Sequence, residues 1–179
     1  MAGAFYTIGH SRHSIAAFVA LLAPAGVDCV IDVRAFPRSR GNPQFNLAAL
    51  PQALSQFGIG YEHVAELGGR RGRQTGVPPR RNALWENRSF HNYADYAASD
   101  AFRAGLARLI ERGARHRCAI MCAEALWWRC HRRIIADYLL ARGADVLHIL
   151  PDGRIAPAKR TPGARRRRDG TLAYPAAAA

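Results

Sequence analysis

The sequence predicts an α/β fold, a single three-layer domain with a mostly parallel sheet of about five strands flanked by helices. Three observations carry that reading. Short apolar runs of strand length alternate with stretches of helical periodicity, no internal repeat is present, and each apolar run stops at a polar residue followed by a turn. Right-handed crossovers then cover both faces of the sheet. With 179 residues and 49% hydrophobic content, the chain can bury one core but is short for two.

The first strand is Phe5 to Ile8, ending in Gly9-His10-Ser11. Ser14 can cap a helix whose Ile15, Phe18, Val19 and Leu22 share a face, and Pro24 and Gly26 stop it. Cys29 to Val33 is the second strand, apolar except for Asp32, and it runs into a polar loop carrying Arg34, Pro37, Arg38, Ser39 and Arg40. Asn46 precedes a helical pattern of Leu47, Leu50, Leu54 and Phe57, ended by Gly58; Pro51 breaks its first turn unless the helix starts late. Tyr61 to Val64 is the third strand. The Gly/Pro/Arg-rich stretch 66–82 is too long for a plain connector and reads as a lid or binding loop. Tyr93 to Arg115 carries one strong helix, with Ser99 as an internal cap and Phe102, Leu106, Leu109 and Ile110 at helical spacing. Arg117 to Met121 is the fourth strand, and Ile134, Ile135, Tyr138 and Leu139 mark the following helix, whose solvent face begins with Arg132 and Arg133. Val146 to Leu150 is the last strand. The domain is taken as 1–175, with a basic loop at 154–169 and a short Ala tail at 176–179.

The formal charge of +13 rests almost wholly on arginine, since Lys159 is the only lysine. Two clusters dominate: Arg70, Arg71, Arg73, Arg80 and Arg81, then Lys159, Arg160 and Arg165 to Arg168. Guanidiniums grouped in flexible segments neutralise phosphates and give salt-dependent affinity for nucleic acid without reading its sequence. GC-rich coding bias accounts for the same composition. No apolar run approaches bilayer length and the N-terminus lacks signal-peptide order, so no membrane partner is expected and a cytoplasmic location is. Cysteines at 29, 118, 122 and 130 do not form a disulfide framework in a chain this long. Cys29 and Cys118 lie inside apolar strands and read as core.

In open α/β sheets the working residues collect beyond the carboxyl ends of the strands. That rule gathers His10 and Ser11, Asp32 and Arg34, His63 and Glu66, and Cys122 and Glu124 from four successive strands. The richest point is the strand-to-helix turn Met121 to Arg132, which holds two thiols, a carboxylate, an imidazole and several guanidiniums. A thiol there can be held as thiolate by the helix N-terminus and nearby guanidiniums, which makes Cys122 a candidate nucleophile. Glu124 is a candidate acid or base, or an ion-pair partner of Arg129 or Arg132. His10 and His131 are candidate proton carriers. Cys122, Cys130 and His131, with His10 or His63, also make a soft ligand set suited to zinc or iron, although no Cys-x-x-Cys pair is present; Cys130 as a buried helix residue is the plain alternative. Adjacent Trp127 and Trp128 cannot both enter one core, so one, Trp128 by preference, is expected at the cleft mouth to stack on a base or sugar.

The segments Thr7-Ile8-Gly9-His10-Ser11, Asp32-Val33-Arg34, Pro43-Gln44-Phe45-Asn46, Glu66-Leu67-Gly68-Gly69-Arg70, Tyr93-Ala94-Asp95-Tyr96 and Cys122-Ala123-Glu124 through Arg129-Cys130-His131-Arg132 resemble the family catalogued as domain of unknown function 488. The resemblance runs from Thr7 to about Leu150, and Gly170 to Pro175 is similar to the family's closing Leu-x-Tyr-Pro element. Trp127 stands where that family usually has proline. The resemblance implies little about activity. If the closing element returns to the fold, Arg165 to Arg168 sit in a loop that can face the same cleft. Asp32-Val33-Arg34 is also similar to the Asp-x-Arg of rhodanese-like domains, and Cys122 with Arg129 to a phosphatase loop, but six residues separate the pair here instead of five.

The expected function is an enzyme acting on a phosphate-bearing substrate, nucleic acid or nucleotide. Its catalytic candidates are Cys122, Glu124, His10, Asp32 and His131; its binding candidates are Ser11, Arg34, Arg38, Ser39, His63, Gly68, Gly69, Arg70, Trp128 and Arg129. The alternatives are a non-catalytic nucleic-acid-binding module with structural cysteines, and a metal-binding protein using Cys122, Cys130 and His131.

Overall fold

The computed structural model describes residues 3–178; Met1, Ala2 and Ala179, which belong to the expected domain 1–175 and tail 176–179, lie outside the described residues. β1 (Ala4–Gly9), β2 (Cys29–Asp32), β3 (Gly60–His63), β4 (Cys118–Cys122) and β5 (Asp145–Ile149) run parallel, and β6 (Ile155–Pro157) adds an antiparallel edge. The order across the sheet is β3-β2-β4-β1-β5-β6. This is the expected α/β architecture with one more strand than the sequence suggests.

Side chains alternate across a strand, and the two faces build two cores. Tyr6, Ile8, Val30, Ala119 and Met121 pack under α1 (Ile15–Leu22) and α2 (Leu50–Ser55) through Phe18, Leu22, Leu50 and Leu54. Phe5, Cys29, Ile31, Val33, Cys118, Ile120 and Cys122 face the other way. They pack under α3 (Arg88–Tyr96), α4 (Asp100–Gly113) and α5 (Arg132–Leu140). Each fully buried Leu or Phe in these layers is worth about 1.5–3 kcal/mol of transfer free energy. Cys29 and Cys118 stand opposite each other on neighbouring strands and are buried in this core.

The helical segment expected from Tyr93 to Arg115 is two helices. Ser99 adopts an extended backbone and its hydroxyl accepts from Phe102 N at 3.2 Å, so it starts α4 instead of decorating the middle of a longer helix. Asn87 caps α3 through Ser89 N and Phe90 N, starting it before Tyr93. The α2 helix begins at Leu50, with Pro51 in the first turn, where a missing N–H costs nothing.

The closing element does return. β7 (Arg165–Arg166) pairs with β8 (Leu172–Ala173), and the buried Tyr174 donates its hydroxyl to Asp137 Oδ2 at 2.8 Å. Arg165 to Arg168 are exposed on this hairpin, and Arg166 Nη1 reaches the Ala141 carbonyl beyond the far end of α5 at 3.3 Å. No helix among the described residues is long and apolar enough to cross a membrane.

Candidate functional site

β1 and β4 are neighbours, yet the chain leaves β1 towards α1 on one face and β4 towards α5 on the other. Their carboxyl ends therefore diverge around a crevice. His10 N donates to the Cys122 carbonyl (2.8 Å), Ser11 N to that of Ala123 (3.1 Å) and Val33 N to that of Met121 (2.9 Å), which ties the three strand ends together. Gly9 is required there: a Cβ would lie 1.9 Å from the Glu124 carbonyl oxygen. Ser11 turns the chain away with a φ of 46°.

A pocket of about 330 Å³ opens at this edge. Its buried lining includes Cys122, Cys130, Gly69, Tyr93 and Arg34; its exposed lining includes Phe36, Arg38, Arg70, Ser89, Glu124 and Arg129. Among the described residues the guanidiniums of Arg38, Arg70 and Arg129 form no side-chain hydrogen bond or ion pair.

The two thiols differ sharply. Cys122 Sγ and Cys130 Sγ are 2.7 Å apart. Arg132, only 1% exposed, donates to Cys130 Sγ from its backbone N (3.4 Å) and from Nε (3.3 Å). Burial raises the Cys130 thiol, but the bond from Cys122 and the charge and bonds of Arg132 outweigh it and draw it down to about 6. Burial and the neighbouring Cys130 push Cys122 well above its ordinary value. The Arg132 donors favour negative charge on Cys130 over Cys122. His131 Nε2–H donates to the Val33 carbonyl at 2.7 Å, which leaves Nδ1 as a lone pair 3.5 Å from Cys130 Sγ. Burial lowers the His131 pKa, so the ring is neutral. Gly69 is packed against this ring: a Cβ there would meet His131 Nδ1 at 2.8 Å.

Arg132 is the largest departure from the sequence expectation, which put it on the solvent face. Its Nη2 donates to the Glu124 carbonyl at 2.5 Å and its Nη1 to Thr7 Oγ1 at 3.3 Å. Thr7 in turn donates to His148 Nδ1 at 2.7 Å, and His148 stacks on Trp127 at 4.3 Å. Glu124 holds the Leu126 N with Oε1 at 3.1 Å and, among the described residues, pairs with neither Arg129 nor Arg132 through its carboxylate.

Asp32, Arg34 and His10 are close by but saturated. The Asp32 carboxylate accepts from Arg34 Nε (2.9 Å), Arg34 Nη2 (2.7 Å), Arg34 N (3.0 Å) and Tyr61 Oη (2.5 Å). Arg34 also donates from Nη2 to the Phe45 carbonyl (2.7 Å) and from Nη1 to His10 Nε2 (3.3 Å). Only one of its five N–H donors is left. Burial opposes its charge, yet the Asp32 bonds and charge raise its pKa. An arginine can only donate, so His10 Nε2 accepts and His10 Nδ1–H donates to the Ser11 carbonyl at 2.8 Å. Burial lowers this histidine too.

Ser11, Ser39, His63 and Gly68, also expected at the site, do not line the pocket, and neither do Asp32 and His10. His63 Nε2–H donates to the Arg34 carbonyl at 2.8 Å, and Ser39 N donates to Asn46 Oδ1 at 2.6 Å while its hydroxyl accepts from Asn42 N at 3.0 Å. Gly68 lets the chain pass Ala35, whose Cα would be 2.9 Å from an added Cβ. Arg70 has a φ of 56°, and Arg71 anchors the segment by donating to the Gly68 (3.0 Å) and Ala65 (2.7 Å) carbonyls and covering the Tyr96 ring at 4.0 Å. Trp128 is 44% exposed but is not part of the pocket lining, and neither is any of Arg165 to Arg168.

As a metal site the cysteines fit poorly. Two thiolates about 2.3 Å from one tetrahedral zinc stand roughly 3.8 Å apart, well beyond the 2.7 Å between these sulfurs. Among the described residues no group of three or more His, Cys, Asp or Glu side chains is arranged to hold a metal ion.

Fold and site together define a class: an open α/β sheet with an arginine-held thiol in a pocket at its carboxyl edge. The family model for a domain of unknown function, DUF488, matches residues 14–139, and the chain belongs to that family. No curated protein and no solved structure matches the chain.

Proposed function

We propose that the protein is a thiol-dependent enzyme acting on a phosphate-bearing substrate, a nucleotide or a nucleic-acid end. The observation that carries the reading is a buried sulfur, Cys130 Sγ, held by Arg132 in a pocket whose open side is lined by three arginines without side-chain partners among the described residues. Cys130 is the nucleophile, in place of the Cys122 that the strand-end position suggests. His131 Nδ1 takes the proton when Cys130 arrives as a thiol. Arg38, Arg70 and Arg129 hold the phosphate while Cys130 Sγ bonds to phosphorus and the P–O bond to the leaving group breaks; Glu124 gives its proton to the leaving oxygen and then takes one from the water that hydrolyses the S–P bond and frees the Cys130 thiolate. Asp32, Arg34 and His10 position the edge without touching substrate. The 66–82 segment, which brings Gly69 and Arg70 to the pocket, is its binding loop. Residues 1–175 work as one domain.

Nucleoside mono-, di- and triphosphates and a 5′-phosphorylated oligonucleotide, added singly, are expected to slow iodoacetamide labelling of Cys130. The Arg38→Ala/Arg70→Ala/Arg129→Ala variant loses that protection while its free thiol reacts as before. Turnover of the protecting compound stops in Cys130→Ser and falls in Glu124→Gln. Absence of protection by every compound at millimolar concentration refutes the reading.

A second reading, a non-catalytic nucleic-acid-binding module, is favoured by the four exposed arginines of the β7–β8 hairpin, away from the pocket. Salt-dependent DNA binding that survives Cys130→Ser together with Glu124→Gln, with no turnover, would support it over the enzyme.

A further inference from the structure

We propose that Cys122 and Cys130 form a reversible dithiol–disulfide couple, oxidised by the disulfide of a small thiol that enters the pocket. The inference rests on Cys130 being the activated thiolate. Four observations support it. The sulfurs are already 2.7 Å apart with no atom between them, and a covalent bond of about 2.05 Å needs only a sub-ångström approach. Both residues line the pocket, so a small disulfide has a route to them. The segment 123–129 that joins them exposes Ala123, Glu124, Trp128 and Arg129 and contains one short 3-10 turn, Trp127–Arg129, so no α-helix or strand separates the two cysteines. Arg132 donates from N and Nε to Cys130, which sets the order of attack.

The chemistry balances without another reagent. The Cys130 thiolate attacks one sulfur of RS–SR, forming Cys130–S–S–R and expelling RS⁻. The Cys122 sulfur then attacks Cys130 Sγ, the Cys122–Cys130 bond forms, the second RS⁻ leaves, and the Cys122 proton goes to a departing thiolate. Two electrons pass from the protein to the small disulfide, giving RS⁻ and RSH.

Arg132 also makes the couple reversible. Oxidation removes the anion from a guanidinium that is 1% exposed, leaving its charge buried with only the Thr7 hydroxyl and the Glu124 carbonyl. A couple whose reduced form is stabilised in this way is readily reduced again, unlike a structural disulfide. Cys29 and Cys118 lack these features: they sit within neighbouring strands and do not line the pocket. Oxidation at Cys130 would consume the nucleophile and silence the proposed thiol chemistry.

The test is incubation of the full-length protein with the disulfide of 2-mercaptoethanol, acid quenching, alkylation and peptide mapping. The expected product in the wild type is a Cys122–Cys130 disulfide that excess dithiothreitol returns to two alkylatable thiols. In Cys122→Ser, Cys130 is expected to accumulate the mixed disulfide. A wild type in which the mixed disulfide persists on Cys130 with Cys122 alkylatable overturns the couple and leaves the Cys130 nucleophile standing. Absence of any adduct in both proteins overturns both readings, and a Cys29–Cys118 bond as sole product overturns the couple.

Discussion

The sharpest consequence of the site is the pH at which Cys130 reacts. An ordinary thiol titrates near 8.5, whereas Cys130 is drawn to about 6, mainly by the Cys122 bond and by Arg132 working against burial. At pH 7 the thiolate fraction is then roughly 0.9 instead of 0.03, about a thirty-fold gain. A less basic thiolate is also a weaker nucleophile, and with a Brønsted slope of about 0.45 the shift of roughly 2.5 units gives back about tenfold. The net advantage at pH 7 is only about two- to threefold, so a rate at neutral pH decides little. At pH 5.5 the same arithmetic gives roughly twentyfold, and the midpoint of the profile separates the cases outright. The assay is single-residue alkylation of Cys130 by iodoacetamide from pH 5 to 9, followed by peptide mass spectrometry, in the wild type, Arg132→Met and Arg132→Lys. The wild type should show a midpoint near 6, Arg132→Met should move it up towards 8.5, and Arg132→Lys should fall between, because the charge remains but the Nε donor is lost. A wild-type midpoint at or above 8.5, or a profile indifferent to Arg132→Met in a folded protein, refutes the reasoning.

Three further outcomes are expected. Burial holds His148 at about 4 against an ordinary 6.5; a depressed folded-state pKa means stability that is complete above about 6.5 and lost as pH falls towards 4, about 3 kcal/mol in all. Urea titrations at pH 7.5, 5.5 and 4.5 should therefore show His148→Gln with a flatter pH dependence than the wild type, and parallel curves would count against it. Gly9→Ala forces a Cβ into the Glu124 carbonyl and should cost about 3 kcal/mol, lowering Tm by roughly 6–12 °C in a thermal melt, whereas an unchanged Tm would show that the turn gives way freely. If the protein binds DNA through the β7–β8 hairpin, replacing Arg165, Arg166, Arg167 and Arg168 by alanine should make the log–log salt slope shallower by up to about 0.9 for each phosphate these arginines neutralise, and an unaltered slope places the DNA elsewhere on the surface.

The strand ends were legible in the sequence because a buried parallel strand is a continuous apolar run, and His10, Asp32 and Cys122 each stand where one stops. Hydrogen bonds of 2.8 Å from His10 to Cys122 and 3.0 Å from Val64 N to the Asp32 carbonyl then follow from parallel pairing. Which sulfur is activated was not legible, because that depends on where one guanidinium lies. Arginine at the start of a helix usually faces water, and burying Arg132 takes Thr7, the Glu124 carbonyl and Cys130 together. One local signal was present: Arg132 shares its helical face with Ile135, Ala136 and Leu139, all buried. The break at Ser99 was half-legible: the serine reads as a cap inside one helix, and its extended backbone with the hydroxyl accepting from Phe102 N shows that a second helix starts there.

The carboxyl edge divides its work between the two faces of the sheet. On the α1 side Asp32 binds Arg34, Arg34 holds the Phe45 carbonyl, and His10 stacks on the Phe45 ring at 4.3 Å. That lattice closes the base of the loop that carries Arg38, with Leu47 N bonded to the Pro37 carbonyl at 2.9 Å and Ser39 N to Asn46 Oδ1. With nearly every donor and acceptor taken, it has little left to offer a substrate, and its rigidity is what it contributes. On the α5 side the opposite holds: Cys130 takes two Arg132 donors and lines the pocket, His131 keeps one nitrogen unbound by backbone, and the Arg38, Arg70 and Arg129 guanidiniums have no partners among the described residues. The proposed phosphate-bearing substrate would supply the anion that those guanidiniums lack, while the saturated side keeps the loop carrying Arg38 in place.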